Sequence, residues 1–161
     1  METCLFEHIL YEMRTYIVTW KLLHSPQGYP GQIVHNPLYE SHVLHLRNLI
    51  DFFNCDDKGH VDDIFVNKVL IDSSNYYIET STDLRKAINK TVQHLSTYRA
   101  KQLDKHELSN AINDLYPIVL EKINKFYNDI QNHNNLCTTY KDDYEKYLLQ
   151  KDPIDLSIYL R

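Results

Sequence analysis

The chain has 161 residues, 43% of them hydrophobic and 24% charged, with a formal net charge of −5 and nine histidines counted as neutral. That length suits one domain with a core of its own, and the acidic balance disfavours nonspecific binding to duplex DNA. Only three glycines and five prolines are present, too few turn residues for a sandwich or barrel of many short strands.

The first twenty residues carry Glu2, Glu7, Glu12 and Arg14 among apolar positions. They lack the basic start and small-residue cleavage site of a secretory leader, and no apolar run approaches membrane-spanning length. Cys4, Cys55 and Cys137 are odd in number and far apart. A disulfide framework or a cysteine-based zinc site is not expected, and reduced thiols point to a cytoplasmic protein.

Residues 3–24 predict a first helix, with Phe6, Ile9, Leu10, Met13, Ile17 and Trp20 recurring at spacings of three and four. The stretch SPQGYPGQIVHNP reads as a loop. A second helix is expected from Asn36 or Pro37 to Asn54, with Asn36 as cap and Pro37 at the first helical position. Its apolar stripe is Tyr39, Val43, Leu46, Leu49, Ile50 and Phe53. Asp62–Leu70 suggests a short helix, and IDSSNYYIET an irregular or locally extended link.

A third long helix should begin at Ser81 or Thr82 and run to about Lys101, its stripe being Leu84, Ala87, Ile88, Thr91, Leu95 and Tyr98. A fourth, from Lys105 to Gln131, carries Leu108, Ala111, Ile112, Leu115, Val119, Ile123, Phe126 and Ile130, and Pro117 is expected to kink or split it. The tail adds a short helix that ends before Pro153. These elements predict an all-α fold, an antiparallel bundle of four to five helices in one domain over 1–161. Residues 132–161 are a candidate loosely packed extension.

Two polar clusters border the apolar stripes. In HVLHLRNLIDFF, Arg47 and Asp51 are four apart and share a face, while His42 and His45 lie on the other flank. Two imidazoles at that spacing could ligate a metal with His8 or Glu12 from the first helix, but no HExxH or ExxH motif accompanies them. In RKAINKTVQHLSTYR, Arg85, Asn89, Val92, Ser96 and Arg99 fall on one flank and Lys90, His94 and Tyr98 on the other. No cofactor or metal set is expected. Both clusters could equally fix helix register in an interaction module, for example a homodimer.

The string DLRKAINKTVQHLSTYR, with HLRNLIDFF upstream, resembles a group of uncharacterised bacterial helical proteins, and through them the HEPN superfamily of helical bundles. The resemblance covers roughly residues 38–99. Many HEPN proteins are dimeric ribonucleases of toxin–antitoxin and defence systems, with a signature of Arg, often followed by Asn, and then His. The resemblance implies His94 and Asn89 at the histidine and asparagine positions. Ile88 stands at the arginine position, with Arg85 one turn earlier as the nearest substitute. It therefore implies RNA or a nucleotide as ligand and His94, Arg47, Arg99, Asn89 and Arg85 as candidate catalytic residues, acting within or across a homodimer. Metal-independent RNA cleavage needs a proton-transfer group, which a histidine supplies, and a cation for the charged phosphorane, which an arginine supplies.

Overall fold

The computed structural model describes residues 5–26, 32–55, 64–93, 105–150 and 152–161. Six helices occur in it: α1 (Leu5–Leu23), α2 (Gln32–Asn54), α3 (Val66–Val69), α4 (Thr82–Gln93), α5 (Lys105–Gln131) and α6 (Thr138–Leu148). Two single 3-10 turns, His133–Asn135 and Leu156–Ile158, complete the regular structure. The described residues contain no strand, only an antiparallel bridge between Leu70 and Leu136. The fold is all-α.

Helix starts and stops follow local chemistry. The Ser81 hydroxyl accepts the backbone N–H of Leu84 at 3.1 Å, a side-chain cap on the first turn of α4. At the other end of α2, Cys55 takes φ 51°, the left-handed geometry that ends a helix. One expectation is corrected, and one of the two alternatives for Pro117 is excluded. Helix α2 begins at Gln32, so Pro37 lies inside it instead of at its first position. Pro117 does not split α5, which runs unbroken through it. Both prolines face solvent, and the buried residues on either side of Pro117, Ile112, Leu115, Val119 and Ile123, hold α5 in one piece. Each proline removes one backbone hydrogen bond, and packing outweighs that loss.

The core gathers one stripe from each helix. Phe6, Leu10, Met13 and Ile17 of α1 meet Val43, Leu46, Leu49, Ile50 and Phe53 of α2 and Ile112, Val119, Ile123, Phe126 and Ile130 of α5. From α4, Ala87 and Ile88 are buried; Thr91, Leu95 and Tyr98 lie outside the residues whose side chains are described. Helices α1 and α2 are antiparallel, because Glu12 meets His45 whereas Thr19, further along α1, meets His42, earlier on α2. The tail closes over α1. Phe6 packs against Tyr144 at 4.9 Å between ring centroids, and Lys21 Nζ donates to the carbonyls of Tyr159 and Arg161 at 2.6 and 3.1 Å.

The link before α4 contributes more core than its polar sequence suggests. Tyr76 and Ile78 are fully buried. The Tyr76 ring stacks on Phe53 at 5.5 Å, and its hydroxyl donates to Asp129 at 2.7 Å. The Asn54 amide bonds Ile78 twice, accepting its N–H at 2.6 Å and donating to its carbonyl at 2.8 Å. This pairing ties the end of α2 to the approach of α4.

Phe53 joins α2, the link and α5, touching Phe52, Tyr76 and Phe126. Phe53→Ala should cost about 3–5 kcal/mol in urea unfolding, the range for truncating a buried aromatic. Ile71→Ala, at a position 68% exposed, should stay within about 0.5 kcal/mol of wild type.

Candidate functional site

Helix α2 carries polar side chains on two faces, and the two meet different neighbours. One face lies against α1. There His45 Nδ1 donates to Glu12 Oε2 at 2.6 Å, and the Asn48 amide donates to the same oxygen at 3.1 Å. Burial opposes the charge on Glu12, but these two hydrogen bonds and the charges of His45 and His8 outweigh it and hold the carboxyl below its ordinary value. Tyr11 meets the His45 ring edge-on at 5.9 Å, with Arg14 over the Tyr11 ring in turn.

One turn back along α2, His42 is 1% exposed. Its Nδ1 lies 3.0 Å from the Thr19 hydroxyl, which itself reaches the carbonyls of Thr15 and Tyr16 at 2.8 and 3.0 Å. The hydroxyl has one proton, and when a carbonyl takes it the hydroxyl oxygen accepts from the Nδ1–H of His42. Tyr16 stacks on the imidazole at 4.5 Å and 14°, and Trp20 and Tyr116 continue the aromatic wall. Burial pushes His42 down to about 4 from 6.5; the nearby charges of His24 and His45 act in the same direction, and a hydrogen bond to the Tyr16 backbone only partly offsets them. His42 is therefore a neutral core residue. His42 Nε2 and Tyr16 Oη are buried without a hydrogen-bond partner among the described residues.

The other face of α2 meets α4, and here the charges converge. Asp51 forms an ion pair with Arg85 through one carboxylate oxygen and lies 3.7 Å from Arg47 Nε through the other. Two guanidiniums thus flank one carboxylate. Burial lowers the pKa of Arg85, and the positive charge of Arg47 lowers it further. Asn89 lies one turn beyond Arg85 on the same flank of α4. The cluster is not closed: Arg47 Nε, Arg85 Nη1 and Asn89 Oδ1 are buried without a hydrogen-bond partner among the described residues. The side chains as wholes reach solvent, Arg47 at 29%, Arg85 at 21% and Asp51 at 40% exposure.

Of the residues singled out in the sequence, the structure brings Arg47 and Arg85 to one carboxylate, with Asn89 on the same flank of α4. His94 and Arg99 lie outside the described residues. Asn48, beside Arg47 in sequence, bonds Glu12 on the opposite face. The suggested histidine pair separates by partner, His42 to Thr19 and His45 to Glu12, and the described residues contain no group of three His, Cys, Asp or Glu disposed around a metal. Sequence reasoning did not find the Thr19–His42 and Tyr16–His42 pairings. Glu12 and Thr19 lie two turns apart on α1 while His45 and His42 lie one turn apart on α2, so the spacings differ and periodicity gave no signal for the pairing.

No family model, curated protein or solved structure matches the chain. The geometry of the cluster is what bears on function.

The state of His42 has a measurable consequence. Its folded-state pKa lies below the unfolded value, so between about 6.5 and about 4 the unfolded chain binds a proton that the folded one refuses. Stability should be full above this window and fall as the pH drops through it, by about 3 kcal/mol in all. Urea midpoints measured from about pH 7 to about pH 4.5 should show the loss. His42→Gln, which keeps a donor toward Thr19 but does not titrate, should flatten that part of the curve. An unchanged slope in the variant would assign the loss to other groups.

Proposed function

We propose that this protein is a HEPN-like helical bundle of a bacterial defence or toxin-type system that binds, and cleaves, RNA or a nucleotide at the α2/α4 face. The observation that carries the reading is the pair of guanidiniums on Arg47 and Arg85. Two delocalised cations at a half-open helix junction, with N–H groups left without acceptors among the described residues, are a suitable recognition surface for a phosphate group. They also supply the cation that a charged phosphorane needs. Asn89 sits one turn along α4 from Arg85. His94, next in sequence after Gln93, supplies proton transfer in this reading, with Arg99 as a further cation. In the reaction the ribose 2′-hydroxyl gives its proton to the base and attacks the adjacent phosphorus. The 5′-oxygen leaves with a proton, and a cyclic phosphate remains. No metal enters this scheme. A homodimer would let one protomer's arginine serve its partner's histidine.

The rival reading is a non-catalytic helical interaction module, a homodimer whose polar clusters set helix register. The direct Arg85–Asp51 ion pair favours it, since a paired arginine needs no ligand. No helix among the described residues is long and apolar enough to cross a membrane, and neither reading calls on one.

The test is incubation of the protein with labelled single-stranded RNA in the presence of a metal chelator. Binding and cleavage are expected, with His94→Ala lowering the cleavage rate by about 10²-fold or more while the fold is kept. Arg47→Ala and Arg85→Ala should each weaken binding by about tenfold, the scale of losing one charged hydrogen-bonding partner. Arg99→Ala, tested beside them, shows whether that arginine shares the role. RNA that stays unbound and intact, together with a lower melting temperature or a dissociated dimer for His94→Ala, would establish the rival.

A further inference from the structure

Asp51 is the one group in the arginine cluster whose charge opposes a phosphate. It is also the most exposed of the three ionic partners, at 40%, so it stands at the solvent edge where an anion would arrive. Its two oxygens are divided between the two arginines, one to Arg85 and one toward Arg47. Two other polar pairings described on these helices are matched within themselves. Lys86 and Asp83 offset each other on the exposed side of α4 at 3.8 Å, and Glu12 is occupied by His45 and Asn48 on the opposite face of α2. Among the described residues at the junction, two guanidiniums and one carboxylate sum to a single net positive charge.

We propose that Asp51 is a specificity-determining residue, which makes the Arg47–Arg85 pair selective for a singly charged phosphodiester over a doubly charged terminal phosphate. The inference rests on the phosphate-binding reading above. A phosphodiester carries one negative charge and neutralises the junction. A terminal phosphate carries about −1.5 to −2 near neutral pH, which exceeds the combined charge of Arg47, Arg85 and Asp51 and places the excess beside the Asp51 carboxylate. At a half-buried site that repulsion is screened less than in bulk water. Asp51 also keeps Arg47 and Arg85 together despite their mutual repulsion. The same residue therefore assembles the site and sets its preference, a form of discrimination by an included repulsive element.

The experiment uses a fluorescently labelled, 2′-O-methylated single-stranded RNA as an uncleavable reporter, with two competitors: the unlabelled strand with hydroxyl groups at both ends, and adenosine 5′-monophosphate. The readout is the ratio of the two competition constants in wild type and in Asp51→Asn. Comparing that ratio between the proteins cancels differences in strand length and base stacking. Asp51→Asn should move the ratio toward the monophosphate by about tenfold. Asp51→Ser should move it the same way and serves if the asparagine variant fails to fold. An unchanged ratio, with both ligands gained or lost equally, would show that Asp51 only holds the arginines and would overturn the inference while the binding reading stands. Wild-type preference for the monophosphate would overturn it too. If neither wild type nor variant binds the RNA reporter, the phosphate-binding reading itself has failed.

Discussion

The orientation of α2's two polar faces depends on the seam between α1 and α2, where one carboxylate receives two donors. Glu12 projects from α1 into a face of α2 that would otherwise bury His45 and Asn48 without acceptors. A buried polar group left unpaired costs about 1–3 kcal/mol, so sliding one helix past the other by a turn would strand several groups at once. The Thr19–His42 pair, further along the same seam, imposes the same register independently. Apolar stripes alone tolerate such shifts, because Leu, Ile and Val fill similar volumes. The polar seam selects one arrangement among them.

With α2 fixed on that side, its remaining polar residues can only face elsewhere. Arg47 and Asp51 are turned toward α4, and the doubled hydrogen bond between Asn54 and Ile78 brings the chain back to start α4 beside them. Arg85 then meets Asp51. The two faces of α2 differ in a way that bears on function. Toward α1, the Glu12 carboxylate, His45 and Asn48 answer one another. Toward α4, two arginines share one carboxylate, and three polar atoms remain without partners among the described residues. The α1 seam also leaves Tyr16 Oη and His42 Nε2 without partners among these residues, but these belong to neutral, fully buried rings, whereas two of the three atoms toward α4 belong to guanidiniums that reach solvent and can meet an anion.

The helices were largely legible in the sequence, because their apolar positions recur with helical period and the stripes of α1, α2 and α5 are the ones buried. The legible part stops where tertiary packing overrides a local rule. Pro37 and Pro117 carry strong local signals, yet both face solvent on helices held by buried neighbours, and the backbone continues through them. Tyr76 and Ile78 were hidden because their link has no periodicity, and their burial depends on a gap between Phe53 and Phe126 that only the assembled bundle creates. At the site, Arg47 and Asp51 were readable as an i, i+4 pair. That Asp51 is shared with Arg85 was not, since their sequence separation carries no periodic signal and the contact exists only once α4 is docked.

The central claim is that the two polar faces of α2 have different jobs, the α1 face holding the fold and the α4 face holding an anion. Arginine Nε–H and histidine ring resonances report on both faces in one nuclear magnetic resonance titration. On addition of an uncleavable single-stranded RNA, the Arg47 and Arg85 Nε signals should shift and sharpen as their N–H groups gain acceptors, while the His42 and His45 ring signals stay in place. Shifts centred on His42 and His45, with Arg47 and Arg85 unmoved at saturating RNA, would contradict the account.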